Sequence, residues 1–222
     1  MNRFVRKLLC STAMILPFGG NAAESISVEA KAEYETWASG LGGQSNAPLA
    51  GLGVGYYKND YFFGTGFVTG NYNISGTSDT VTRADLDVVA GKKLNGEWSA
   101  FVGYRLNLMA FSDKDDGTSF DETTHGLGAG LMLSQVLNKG WVGFATFAIS
   151  GLTTETKYKD SSIGDDSGQG VSVNTEAGAI FRINNISDVA MRVKYQTSRL
   201  SYESAEWPHS YFRLGASFSR RF

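Results

Sequence analysis

The sequence predicts an all-β protein: a closed, antiparallel, up-and-down barrel of transmembrane strands, ten in number, with eight as the alternative. Three observations predict it. Segments along the whole chain alternate apolar and polar residues, the period-2 signature of strands with two different surroundings on their two faces. The connections between those segments alternate between short turns and long polar loops. Beyond residue 23 no continuous apolar run approaches the roughly 20 residues of a spanning helix, so strands must make any crossing. In hydrocarbon, strands satisfy their backbone groups only when the sheet closes on itself.

The N-terminus reads as an export signal. Arg3, Arg6 and Lys7 form a positive start, Leu8 to Phe18 an apolar core, and Gly20-Asn21-Ala22 offers small residues for cleavage after Ala22 or Ala23. Residues 1–23 are therefore expected to be a cleaved secretory signal and 24–222 the barrel; a buried N-terminal helix is the alternative. Cys10, the single cysteine, leaves with the signal, and disulfides, thiol chemistry and cysteine metal sites leave with it. The chain carries a net charge of -2, and losing those three basic residues takes it to -5, which excludes a basic footprint for nucleic acid. Twenty-seven glycines, 13% aromatics and only three prolines suit a closely packed sheet.

The strands follow in order. Ile26 to Ala38 is the clearest, with Ile26, Val28, Ala30, Ala32 and Tyr34 on one face and Ser27, Glu29, Lys31, Glu33 and Glu35 on the other. Leu49 to Lys58 sets Leu52, Val54 and Tyr56 against Gly51, Gly53 and Gly55. Tyr61 to Tyr72, Thr80 to Gly91 and Trp98 to Phe111 complete the first half. Thr124 to Gln135, Trp141 to Leu152, Val171 to Ile183, Val189 to Leu200 and Ser210 to Phe222 form the second. The third and seventh have too little polarity contrast to assign a face.

Short turns at Lys58-Asn59-Asp60, Lys92 to Glu97, Val136 to Gly140 and Asn184 to Asp188 alternate with longer stretches. Those are Ser39 to Pro48, Asn73 to Asp79, Ser112 to Thr123, Thr153 to Gly170 and Ser201 to His209. Short turns on one side and long loops on the other are the asymmetry of outer-membrane barrels. A soluble lipocalin-like barrel would need an apolar inner face. Trp37, Trp98, Trp141 and Trp207 lie at strand ends or in a loop, and Tyr57, Tyr61, Tyr72, Tyr195, Tyr202 and Tyr211 lie near ends, as aromatic girdles at headgroup level require.

At the C-terminus, Phe212, Leu214, Ala216, Phe218, Arg220 and Phe222 share one parity and Arg213, Gly215, Ser217, Ser219 and Arg221 the other. An amphipathic strand ending on an aromatic resembles the assembly signal of Gram-negative outer-membrane barrels, with Phe218 and Phe222 as its aromatic residues. Segments such as Val102-Gly103-Tyr104-Arg105 resemble their strand pieces. Over its mature length the chain resembles the broad class of small barrels that holds outer-membrane proteins A, X and W. The resemblance implies the outer membrane of a Gram-negative bacterium, lipid and lipopolysaccharide as surroundings, and the barrel-assembly machinery as a partner. Arg220 departs from the signal, where an apolar residue is usual, at a cost of about 0–1 kcal/mol near the interface.

The polar parity places Glu29, Glu33, Glu35, Asp85, Asp87 and Glu176 in the lumen with Lys31, Arg83, Arg105, Arg182, Arg192, Lys194, Arg213 and Arg221. Near balance predicts a paired network, because an isolated buried charge costs several kcal/mol. In a closed barrel the first and last strands are neighbours, so Glu29 to Glu35 face Arg213 to Arg221. Glycines at 126, 128, 130, 178 and 215 make room for long side chains or for a narrow water path.

Chemistry-bearing patterns are few. Asp85-Leu86-Asp87 puts two carboxylates on one strand face, a pair that can position a water. Omptins, ten-strand outer-membrane proteases, set such a pair against an Asp-x-His pair, which this sequence lacks; a salt-bridge role is the expectation. His125 and His209 have no neighbouring nitrogen or sulfur ligand for zinc, and His209-Ser210 lacks the two-residue spacing of lipid A deacylases. No cofactor is implied. Asp113, Asp115, Asp116, Asp121, Glu122, Asp160, Asp165 and Asp166 make two loops acidic, open to divalent cations but out of EF-hand register. Lys157, Lys159 and Arg199 lie at the outer rim, within reach of lipopolysaccharide phosphates. Three functions remain open: a structural or interaction barrel, favoured by the balanced lumen; a narrow channel for small polar solutes; and an outer-membrane hydrolase.

Overall fold

The computed structural model describes residues 24–39, 44–74, 79–112, 119–159, 164–202 and 206–222. The expected signal segment lies outside them. Ten strands run β1 (Glu24–Ser39), β2 (Gln44–Lys58), β3 (Tyr61–Ile74), β4 (Thr80–Lys93), β5 (Trp98–Ser112), β6 (Ser119–Asn138), β7 (Trp141–Tyr158), β8 (Asp166–Arg182), β9 (Ser187–Tyr202) and β10 (Glu206–Arg221). Each pairs antiparallel with its neighbours in sequence. The β1–β10 ladder, from Ser27↔Arg221 to Ser39↔His209, closes the barrel at ten strands. The last residue takes part: the Phe222 amide donates to the Ile26 carbonyl at 2.8 Å.

The strands are longer than their alternation suggests, 14 to 20 residues where about 9–11 cross a bilayer. The expected loops Ser39 to Pro48 and Thr153 to Gly170 are largely ladder, with Thr36↔Asn46 and Thr156↔Asp166 still in register. Ser119 to Thr123, read as loop, opens β6. The wall therefore rises beyond the apolar zone on the long-loop side. There the outward residues turn polar (Thr153, Glu155 and Lys157 on β7), so the hydrophobic signal ends while hydrogen bonding continues. Of the acidic loop residues, Asp113, Asp115, Asp116 and Asp160 lie outside the described residues.

At the other end the turns are tight. Asn59 (φ 55°) and Gly140 (φ 95°) adopt the left-handed conformation that two-residue turns demand and that Asn and Gly tolerate best. In the two longer turns the side-chain oxygens of Asn95 and Asn184 accept backbone amides two residues on, at 2.9 Å each.

Apolar residues face out and polar residues in. Ile26, Leu52, Val102, Leu127, Ile149, Met191 and Leu214 are each roughly half exposed or more, forming a continuous outer belt. Tyr34, Tyr195 and Phe212 border it towards the long loops; Tyr61, Trp98, Trp141 and Phe181 border it at the turns. Such a surface is stable against hydrocarbon and costly against water. Four tyrosines and one tryptophan depart from the expected girdle: Tyr57, Tyr72, Tyr202, Tyr211 and Trp37 turn inward. Strand-end position alone does not tell which face a ring takes. The two undecided strands are settled as well. β3 turns Phe63 and Phe67 outward and Gly64, Gly66 inward; β7 turns Phe147 and Ile149 outward and Ala148, Ser150 inward. Their inner faces are small or apolar rather than charged, with Phe62, Val68 and Tyr72 inward on β3 and Phe144 and Leu152 on β7, which is why contrast was weak.

Candidate functional site: a layered lumen

The interior is stacked in layers. Towards the long loops Trp37, Leu49, Tyr72, Val81, Met109 and Tyr211 form an apolar cluster packed against Phe111. From it aromatic rings reach across the mouth: His209 lies parallel to Trp37 (centroids 6.2 Å), Trp37 meets Phe111 (6.4 Å), and Phe111 stacks on Phe120 (4.2 Å), which meets Tyr158. Trp37 on β1 and Phe111 on β5 are four strands apart in a ring of ten, so this contact nearly spans the opening. At the turn end Phe62, Val89 and Met132 pack with Phe101, Phe144 and Ile180.

Between the apolar layers lies the ionic one. Arg213 (β10) donates to Glu35 (β1) and to Asp85 (β4), and its Nη1 lies 3.5 Å from Glu33. Arg83 (β4) reaches Glu35 Oε1 at 2.6 Å and Asp85 Oδ1 at 2.8 Å, while its guanidinium sits 4.1 Å from the Tyr211 ring centroid. Tyr72 donates to Glu35 and Asn107 to Asp85. Arg105 (β5) holds Asp87 and donates to Asn174 on β8 (3.1 Å) and Gln196 on β9. Arg192 (β9) donates to Glu29 and Ser217, with Glu176 at 3.9 Å, and Lys31 lies 3.6 Å from Glu29. Glu35, Arg83 and Asp85 are at most 3% exposed. Buried charges survive only when paired and hydrogen-bonded in this way.

The sequence named six acids and eight bases for one network, and the structure divides them. Arg182 and Arg221 sit apart at the turn end, sharing Asp188 (3.7 and 3.0 Å), a carboxylate the alternation did not single out. The inner layer is left with six acids and six bases. Its neutral members, Asn107, Asn174, Gln196, Tyr72 and Ser217, were also missed, because polar uncharged residues carry no sequence signal for a partner across a lumen. Glycine makes room where expected: a Cβ at Gly215 would stand 3.1 Å from Glu33 Cγ and 3.2 Å from Arg192 Cγ. Of the assembly-signal residues, Phe218 faces the outer belt, and Phe222 is 74% exposed.

Glu122 and His209 are buried titratable groups in the wall above the belt. Glu122 points inward, with hydroxyls of Tyr202 and Thr124 at 3.4 Å, and burial raises its carboxyl above the usual range. His209 is buried among rings, and desolvation, seconded by Arg83, lowers its imidazole to about 4. His125 instead faces outward, bonded to the Tyr104 hydroxyl at 2.6 Å on the neighbouring strand. The two histidines do not meet. Among the described residues no cluster of three or more metal-ligating side chains forms.

An apolar belt between aromatic bands, a closed ten-strand wall and a neutralised polar interior define a transmembrane β-barrel of the outer-membrane type. No family model and no curated protein matches the chain by sequence. Among solved structures it is similar to the outer membrane protease OmpT from Escherichia coli. That match has TM-score 0.57 and 10% identity over 94% of this chain and 99% of that one. It is also similar to an outer membrane channel from Pseudomonas putida F1, with TM-score 0.51 and 13% identity over 90% and 96%. At such identities the likeness is one of fold.

Proposed function

We propose that the chain is an integral outer-membrane barrel with a structural or interaction role: a sealed, rigid cylinder that holds a polar outer rim above the bilayer. The observation that carries this reading is the set of guanidinium bridges across the lumen. Arg213 joins β10 to β4, and Arg105 joins β5 to β9, each four strands apart in a ring of ten. Apolar layers lie above and below them. Eight- to ten-strand interiors are narrow enough for side chains to fill. The rim fits lipopolysaccharide as its neighbour: Lys157, Lys159 and Arg199 stand exposed, each offset by one acid within 4 Å (Glu155, Asp121 and Glu206), leaving weak pairs that a phosphate can displace.

Hydrolysis fits less well. Asp85 and Asp87 are each held by arginine, so neither is free to activate water. Planar-bilayer recording tests the proposal: the purified barrel is expected to give no reproducible conductance steps. Steps in the wild-type protein that change with Arg105→Ala or Glu33→Ala would overturn it in favour of a narrow solute channel.

A further inference from the structure

The lumen is not filled evenly. A cavity of about 110 Å³ lies beside the ionic layer, against a wall of glycine and alanine (Gly103, Gly126, Gly128 and Ala148) on β5, β6 and β7. That is room for several water-sized species. Three carboxylates reach its lining, and each is engaged by a guanidinium: Glu33 by Arg213, Asp87 by Arg105, Glu176 by Arg192. Lys194 also lines it and stands differently. Of the inner layer's cations it alone has no carboxylate within 4 Å among the described residues, although Glu176 is its direct partner across the β8–β9 ladder. Arg105 and Arg213 crowd it with like charge, and Asp87 and Glu176 act on it only from beyond ion-pair distance. Two hydroxyls, of Thr146 and Ser150, face the same cavity with no side-chain hydrogen bond among the described residues.

The groups left over at this cavity are thus an ammonium and two neutral donors, while the acids nearby are already taken. A desolvated cation without a counter-charge is costly, and a small anion in the cavity removes that cost. We infer that the cavity is a binding site for a small monovalent anion of chloride size, held by Lys194 with Thr146 and Ser150 as neutral donors. The site is structural, an internal counter-ion that locks β7 and β9 to the ionic layer.

Refolding the unfolded barrel in detergent with sodium bromide, then crystallising it, tests this without requiring the sealed lumen to admit the ion. The expected result is a bromine anomalous peak in the cavity beside Lys194 Nζ. In solution, chloride at 100 times its Kd should lower the unfolding constant about a hundredfold relative to gluconate at equal ionic strength. Lys194→Arg should keep that dependence and Lys194→Met should lose it. An empty or water-filled cavity in bromide overturns the inference. So does an adventitious ion only: a peak with no chloride dependence of the wild-type unfolding constant, a measurement that needs no variant to fold.

Discussion

Replacing Arg213 by methionine isolates the cross-lumen bridge. The side chain keeps an unbranched apolar stem and loses the guanidinium, so Glu35 and Asp85 each lose one donor and Glu33 loses its cation 3.5 Å away. Arg83 remains to hold Glu35 and Asp85, at 2.6 and 2.8 Å, but two buried carboxylates then share one guanidinium. Removing one partner of a buried pair costs about 3–5 kcal/mol, because the other charge stays behind. That is roughly two to four orders of magnitude in the unfolding constant. With a urea dependence of about 2 kcal/mol/M, the midpoint should fall by roughly 2 M. Adding Asp85→Asn to Arg213→Met leaves Glu35 with Arg83, Tyr72 and a nearly neutral balance, so about half or more of the loss should return. The assay is urea unfolding of the refolded barrel in lipid vesicles, followed by tryptophan fluorescence and by mobility on unheated gels. A cost below about 1 kcal/mol for Arg213→Met, or a double variant less stable than the single one, would refute the claim that this arginine neutralises the lumen.

Other expectations follow from the same structure. His209 is held at about 4 against an ordinary value of 6.5, so the unfolded chain binds more protons between those values. Its contribution, on the order of 3 kcal/mol, is present in full above pH 6.5 and is lost as pH falls towards 4. A pH series of urea midpoints should show that slope in the wild type and lose it in His209→Phe. Glu122 is shifted upward and contributes the opposite slope, so Glu122→Gln should steepen the acid loss. Ile149→Arg puts a charge in the belt and should destabilise the folded barrel in vesicles by about 2–4 kcal/mol, whereas Glu155→Arg, above the belt, should change unfolding by well under 1 kcal/mol. Deleting Phe222 removes both hydrogen bonds between its backbone and Ile26 and the terminal aromatic. Slower membrane assembly in a reconstituted assembly assay is the expected outcome.

How much of this was legible depended on the range of the signal. Period-2 alternation is local, since it follows from successive side chains pointing to opposite faces. The face of β1 that holds Glu29 to Glu35 could therefore be read from the ten residues Ile26 to Glu35. That β1 and β10 are neighbours followed from closure, and it brought Glu33 and Glu35 to Arg213. Where alternation carried no contrast, as along Tyr61 to Tyr72, it decided nothing. Strand-end aromatics were legible as strand ends but not as inside or outside, and Tyr72 and Tyr211 proved to roof the ionic layer.

The amino-acid sequence by itself determined the strand segments, the outward and inward faces of most of them, and the sign balance of the lumen, and it left the strand number between ten and eight. Each of these depends only on neighbours along the chain. Only the tertiary structure decided that Arg213 meets Asp85, 128 residues away, that Arg105 meets Gln196, and that Glu176 passes over Lys194 for Arg192. Partners across a lumen depend on the tilt and stagger of the closed sheet. Those are properties of the hydrogen-bond register of all ten strands together, and no single segment encodes them.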